Sequence, residues 1–284
     1  MLGKKIAIGT ANFGSDYGHF NKTKLSKQKI NKILKRCRLS NIDTVDTSSD
    51  YLKAEFFLGI SGVKELKIIS KIYVNEGLIN EQKKFLDKKI KKSLSDLKVK
   101  KLYALLFRKP ENILDRSKIK IWQHAKNYQK EGIISKIGFT IYDPIELDKT
   151  YDILKPDIIQ VPYNIFDRRI ESSGWMKKLY NKNVEIHSRS IFLQGLLLKN
   201  KNQLPEQFKR YKIKWNEYHA WLKKEKVTPL EACLAIVHKK KEISKIVIGV
   251  ESDLQLKNIL ETNVKNINFP KWLKHDNGIL IDPR

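Results

Sequence analysis

The chain has 284 residues, with 57 Lys and Arg against 31 Asp and Glu, and a formal net charge of +26. That length suits one β/α barrel, which typically needs about 250 residues, and no apolar run approaches the roughly 20 residues of a membrane span. The two cysteines, Cys37 and Cys233, fall in apolar helical patterns and read as buried thiols, so no disulfide framework is expected.

The basic excess is mostly Lys at helical spacing, as in Lys83, Lys84, Lys88, Lys89, Lys91 and Lys92. That pattern reads as a solvated helix face and not as a nucleic-acid surface, which needs basic residues and exposed aromatics on one face. The opening MLGKKIAIGTANFG lacks the apolar core of a signal peptide. A cytoplasmic protein that partners neither a nucleic acid nor a membrane is therefore expected.

In chain order, residues 6–10 read as a first strand and 11–21 as a loop rich in Gly and aromatics. Ser26 caps a helix with Ile30, Ile33, Leu34 and Cys37 on its apolar side. Residues 42–46 form strand two, a helix ends at Gly59, and strand three spans 66–70 with Lys71 at its end. Asn80 begins a helix carrying Leu86, Ile90, Leu94 and Leu97. Strand four, 102–107, is an almost unbroken apolar run that Pro110 stops. A helix with Ile119, Trp122 and Ala125 runs to a C-cap at Gly132, and strand five spans 133–139. Asp143 caps the next helix, with Pro144 at its first position.

Strand six spans 157–161 and strand seven 184–187. Residues 206–224 read as a helix anchored by Trp215, Tyr218 and Leu222, and Thr228–Glu231 as a capping box opening another. Strand eight spans 246–248, the last helix 252–261, and the tail after Asn266 is expected to cover the barrel. Strands alternating with helices imply parallel βα units. A closed barrel and a doubly wound sheet both fit, and eight strands favour the α/β (β/α)8 barrel. Residues 1–284 are read as one domain, without linker or short-period repeat.

The chemistry centres on NIDTVDTSSDY at 41–51. Ser48, Ser49 and Asp50 break a β pattern, placing Asp46 at a strand end and Tyr51 just past the turn. A carboxylate and a phenol at such a place make a candidate acid–base pair. With Glu55 and Leu58-Gly59 they complete D-T-x-x-x-Y-x-x-x-E-x-x-L-G, which resembles the active-site motif of the aldo-keto reductases, here closest to bacterial short-loop members. The likeness extends through GTANFGSDYG, IISK, IGFTIYDP, IIQVPYNIFDRR, HSRSIFLQGLLL and IVIGVESDLQL, in that order.

The resemblance implies hydride transfer between a nicotinamide and a carbonyl, with Tyr51 as proton donor and Asp46 and Lys71 as its partners. A free Tyr titrates near about 10, and a nearby Lys⁺ should lower that value. The family's fourth catalytic position, a His ending strand four, is here Arg108. Arg is always charged and accepts no proton, but it can polarise a carbonyl oxygen or grip an anion. Lys71 and Arg108 together are expected to push Tyr51 towards phenolate. His19 and His187 are candidate substitute donors.

For the cofactor, the resemblance points to Thr140, Gln160 and Asn164 near the carboxamide, and to Arg189, with Ser190 and Gln194, beside the nicotinamide. Gly249, Ser252 and Gln255 match contacts to phosphate and adenosine, although Ser252–Gln255 is also S-x-x-Q, a plain cap. The family's usual Lys and Arg are missing there, and Lys257 is the nearest substitute. NADP(H) is expected ahead of NAD(H). No P-loop, G-x-G-x-x-G or H-E-x-x-H occurs and no metal site is indicated. The expected activity is carbonyl reduction of a small polar or anionic compound, such as a sugar derivative. The alternative is a catalytically impaired nucleotide-binding relative.

Overall fold

A computed structural model describes residues 2–14, 24–75, 81–114, 118–276 and 278–282. Eight parallel strands close into a barrel in sequential order: β1 (Ile6–Gly9), β2 (Thr44–Asp46), β3 (Lys67–Tyr73), β4 (Leu102–Arg108), β5 (Ile134–Thr140), β6 (Ile158–Pro162), β7 (Glu185–Arg189) and β8 (Ile243–Gly249). The doubly wound alternative is therefore excluded. Closure is explicit in the pairing of β1 with β8, from Ile6–Ile246 to Gly9–Gly249.

The strands are buried on both faces, and this is why they read as apolar runs. Their outward residues pack under the helices. Trp122, from the helix Ile119–Lys130, lies 5.7 Å from the Phe107 ring and 6.1 Å from the Phe139 ring. Inside the barrel, Ile69, Ala104, Leu106 and Ile158 form a separate small apolar cluster. Successive side chains on a strand alternate faces, so residues two apart from these also point inward.

Local signals place the helices as the sequence implies. Ser26 Oγ accepts from Lys29 N at 3.3 Å at the start of Lys27–Leu39. Thr228 and Glu231 exchange a capping box at Pro229–His238. Gly132 adopts φ +73° just beyond the helix ending at Lys130. Asp143 Oδ1 accepts from Ile145 N at 3.0 Å, and Glu146 Oε1 returns to Asp143 N at 2.8 Å. Asn80, where a helix was expected to start, lies outside the described residues; the helix spans Gln82–Leu97. The span 206–224 divides into a 3-10 segment, Glu206–Tyr211, and the α-helix Lys212–Lys224. Both cysteines are buried free thiols.

The tail packs against the loop after β6: Arg168 Nη1 donates to Phe269 O at 3.1 Å, and His275 N to Phe166 O at 2.9 Å. Among the described residues, no helix is long and apolar enough to cross a membrane.

Candidate active site

The end of β2 is fastened to β3 by the polar loop that follows it. Ser48 Oγ and Ser49 N both donate to Lys71 O, at 3.0 and 3.1 Å. Asp46 and Lys71 thus face each other inside the barrel, and Lys71 Nζ donates to Asp46 Oδ1 at 2.5 Å. Gln160 Nε2 donates to Asp46 Oδ2 at 2.7 Å. Each carboxylate oxygen is therefore bound, as a buried charge requires. Lys71 lies two residues inside β3, not at its end, because pairing with β4 continues to Tyr73–Arg108.

Tyr51 follows in a turn closed by its own N–H donating to Ser48 O at 3.0 Å. Gly14 seats that turn: a Cβ there would lie 2.4 Å from Tyr51 O. Lys71 Nζ sits 5.5 Å from the centre of the Tyr51 ring. Glu55 is a strut, not a site residue. It is buried, and its Oε1 accepts from Ser70 Oγ at 2.6 Å, tying the helix Ala54–Ser61 to the strand that carries Lys71. Gly59 lets that helix close on its neighbour, since a Cβ would lie 2.0 Å from Asp96 O.

Burial, then the Asp46 carboxylate, raises the Tyr51 pKa well above the ordinary phenol value; Arg108 and Arg189 oppose this without prevailing. The expected drift towards phenolate is therefore reversed. Burial also lowers the Lys71 pKa, with Asp46 opposing. The physical reason is that the Lys71 charge is already committed to Asp46, while Tyr51 is withdrawn from water. The phenol holds its proton.

A cleft of about 340 Å³ opens above this pair. It runs from Asp46, Tyr51, Lys71 and Arg108, past Thr140, Gln160 and Arg189, along Ser190 and Gln194, to Gly249 and Gln255. The two arginines differ. Arg189 is held by Thr140 Oγ1 at 3.4 Å, Ser190 Oγ at 3.2 Å and Ile141 O at 2.9 Å, and it stacks 4.5 Å from the Tyr142 ring. Among the described residues, Arg108 has one hydrogen bond, Nη2 to the Tyr142 hydroxyl at 3.4 Å, and a loose ion pair with Asp50 at 3.9 Å.

Three expected residues stand elsewhere. Asn164 is wholly buried and serves the loop: Oδ1 accepts from Phe166 N and Asp167 N, each at 2.9 Å, and Nδ2 donates to Ser190 O at 3.1 Å. It shapes the cleft wall without lining the cleft. Ser252 caps the helix Asp253–Glu261, accepting from Gln255 N at 3.1 Å. His187 is buried below the cleft, with Nε2 2.6 Å from Glu185 Oε1, and is no substitute donor. His19 lies outside the described residues.

Two cleft residues were quoted in motifs without being singled out. Tyr142 bridges the arginines, and its loop is held by Arg169, whose Nη2 donates to Tyr142 O at 2.8 Å. Asn12 donates to Val250 O at 2.9 Å and leaves its buried Oδ1 without a partner. Neither role has a local signal, since each depends on segments far away in the chain.

The cleft fits an extended dinucleotide. Gln160 keeps its amide oxygen to accept from a carboxamide, Asn12 offers an orphaned acceptor, and a Cβ on Gly249 would meet nothing within 4 Å. The helix Asp253–Glu261 begins at this end of the cleft, and a helix N-terminus suits a phosphate.

Comparison with known proteins agrees with this geometry. No curated protein matches the chain significantly in sequence. Two solved structures of Pseudomonas aeruginosa proteins described as aldo-keto reductases, one of them PA4992, superpose with TM-scores of 0.67 at 16% identity. Each comparison covers 90% of this chain and 87% of the other. The model of the aldo/keto reductase family matches residues 5–271. The chain belongs to the aldo/keto reductase family and is an oxidoreductase of the nicotinamide-dependent, carbonyl-reducing kind.

Proposed function

We propose that the chain reduces small polar or anionic carbonyl compounds, sugar derivatives among them, with Tyr51 as proton donor. The observation that carries this reading is the buried Asp46–Lys71 pair, joined at 2.5 Å, beside the Tyr51 phenol in a cleft lined by Arg108, Gln160, Arg189 and Gly249; burial raises the phenol's pKa, which favours its protonated form. The reduced nicotinamide supplies the hydride when bound. Tyr51 gives its hydroxyl proton to the carbonyl oxygen, completing the alcohol. The phenolate left behind lies near the Lys71 ammonium and the Arg108 guanidinium, which stabilise it. Asp46, fixed by Gln160, holds Lys71 in place and charged. Gln160, Thr140, Arg189, Ser190 and Gln194 orient the nicotinamide half. Gly249, Gln255 and the helix start at Ser252 hold the other half, while Asn164 acts by shaping the loop.

The distribution of charge along the cleft supports NADH as the tighter-bound reductant, against the preference for NADP(H) that the resemblance implied. Its described cations, Lys71, Arg108 and Arg189, all lie at the catalytic end. The described lining of the other end includes Glu251 and no Lys or Arg. Lys257 does not line the cleft and faces Glu261 at 3.8 Å. Parallel fluorescence titrations with NADH and NADPH test this, and tighter binding of NADPH would reverse it. No saturable binding of either would end the enzyme reading.

The presence of Arg108 where relatives keep a His favours a second reading, a nucleotide-binding relative with impaired turnover. Assay of a panel of aldehydes separates the two, since only the first reading expects reduction.

A further inference from the structure

Three described cations line the catalytic end of the cleft, and they are not equivalent. Lys71 is neutralised by Asp46 at 2.5 Å. Arg189 uses Nε and both Nη groups on protein oxygens. Among the described residues, Arg108 spends one Nη2 bond on Tyr142, has no bond from Nε, and stands 3.9 Å from Asp50. Even that carboxylate is shared, because Lys89 Nζ donates to Asp50 Oδ1 at 3.0 Å. The Arg108 guanidinium, with its side chain 34% exposed, is thus a partly desolvated charge with donors to spare, fixed in direction by Tyr142. It also faces Tyr73, whose ring centre is 6.0 Å away.

We propose that Arg108 is a specificity-determining residue that selects carbonyl substrates bearing a carboxylate, gripping that group while Tyr51 engages the carbonyl. A planar fork of donors matches a carboxylate better than it matches a carbonyl oxygen alone. The inference rests on the carbonyl-reductase reading above and names its substrate class. An anion seated on Arg108 also removes a positive charge that would otherwise oppose the protonated state of Tyr51.

The test compares 4-carboxybenzaldehyde with its neutral isostere 4-carbamoylbenzaldehyde, which match in size and shape but differ in charge, and each rate is divided by that aldehyde's own rate of uncatalysed borohydride reduction. The native chain should prefer the carboxylate in kcat/KM by about tenfold or more, the range of a charge-assisted hydrogen bond. Arg108→Gln should abolish that preference through KM, and Arg108→Lys should retain part of it. The preference should persist at high salt, whereas attraction by the overall charge of +26 would be screened. An equilibrium readout is independent of turnover: benzoate binding to the NAD⁺-loaded protein, measured by calorimetry, should weaken about tenfold or more in Arg108→Gln, and benzamide binding should not. Equal selectivity in native and variant chains, or equal loss for benzoate and benzamide, would overturn the clamp. Failure of the native chain to reduce either aldehyde would instead overturn the carbonyl-reductase reading.

Discussion

The two ends of the barrel hold similar charges and use them differently. At the end where the strands begin, Lys245 Nζ donates to Asp43 Oδ1 at 2.5 Å, and Lys67 Nζ lies 3.1 Å from Asp43 Oδ2. Beside them Glu185 gathers Tyr103 and His187, each at 2.6 Å, together with Lys136. Burial alone would raise the Asp43 carboxyl, but bonds from Lys245, Thr44 and Lys67 outweigh it and hold the pKa down at about 2. Glu185 is likewise held below its ordinary value, burial being outweighed by His187, Lys136 and Tyr103. These are closed networks in which the described charges face one another. At the opposite end Asp46–Lys71 is equally well paired, but a phenol and a guanidinium stand over it beside an open cleft. Paired charge alone therefore marks no active site here. What sets the candidate site apart is a phenol and a loosely paired guanidinium, among the described residues, beside a cleft at the strand C-termini, where barrel chemistry is found.

The largest effect is expected at Tyr51. Tyr51→Phe should lower kcat by about 10²–10⁴-fold, the usual worth of general acid catalysis, with cofactor affinity and melting temperature nearly unchanged. A thermal melt beside a turnover assay checks both halves. Lys71→Met should damage both functions at once. It leaves Asp46 as a buried unpaired charge, at a cost of about 3–5 kcal/mol, and removes the cation beside Tyr51. Denaturant titration and turnover measure the two effects, and full stability with lost activity would mean that Asp46 is protonated or hydrated in the variant.

At the other end, Glu185→Gln should cost stability by about 1.5–3 kcal/mol, the range for a hydrogen bond to a charged group, and leave kcat unaltered. A change in kcat without loss of stability would show that the two ends communicate. The smallest effect is in acid. The folded-state pKa of Asp43 is depressed, so its contribution is fully present above the unfolded value near 3.8 and is lost as pH falls through about 2. Melting temperature followed across that window should fall less steeply in Asp43→Asn than in the native chain.

These same inward charges explain what the sequence could and could not reveal. Strand eight was expected at 246–248, yet β8 runs from Ile243 to Gly249, because Lys245 looks like a break although it faces the barrel interior and Asp43. Strand three reads only as far as Ser70 in the sequence, yet β3 runs to Tyr73, since Lys71 interrupts an apolar run while being 3% exposed. Outward faces read clearly because they meet helices, whereas inward faces mix Lys, Glu and His with Ile and Leu. The meeting of Asp46, Tyr51 and Lys71 was legible because the loop after β2 carries the first two and is fastened to the Lys71 backbone of the neighbouring strand. Tyr142 was not, because its position depends on Arg169 and Arg189 from later strands. Asn164 was misplaced for the converse reason: its motif is local, but its side chain is consumed by its own loop.

The most direct test of the account follows the hydride itself. The native chain and Tyr51→Phe would each be mixed with NADH deuterated at C4 and with 4-carboxybenzaldehyde, and the alcohol analysed by mass spectrometry. The account predicts deuterium on the carbinol carbon from the native chain, and formation slowed by at least about a hundredfold in the variant, with NADH still bound. Bound NADH without labelled alcohol from the native chain would contradict it and leave a nucleotide-binding relative in its place; equal labelling by both proteins would remove Tyr51 from the chemistry.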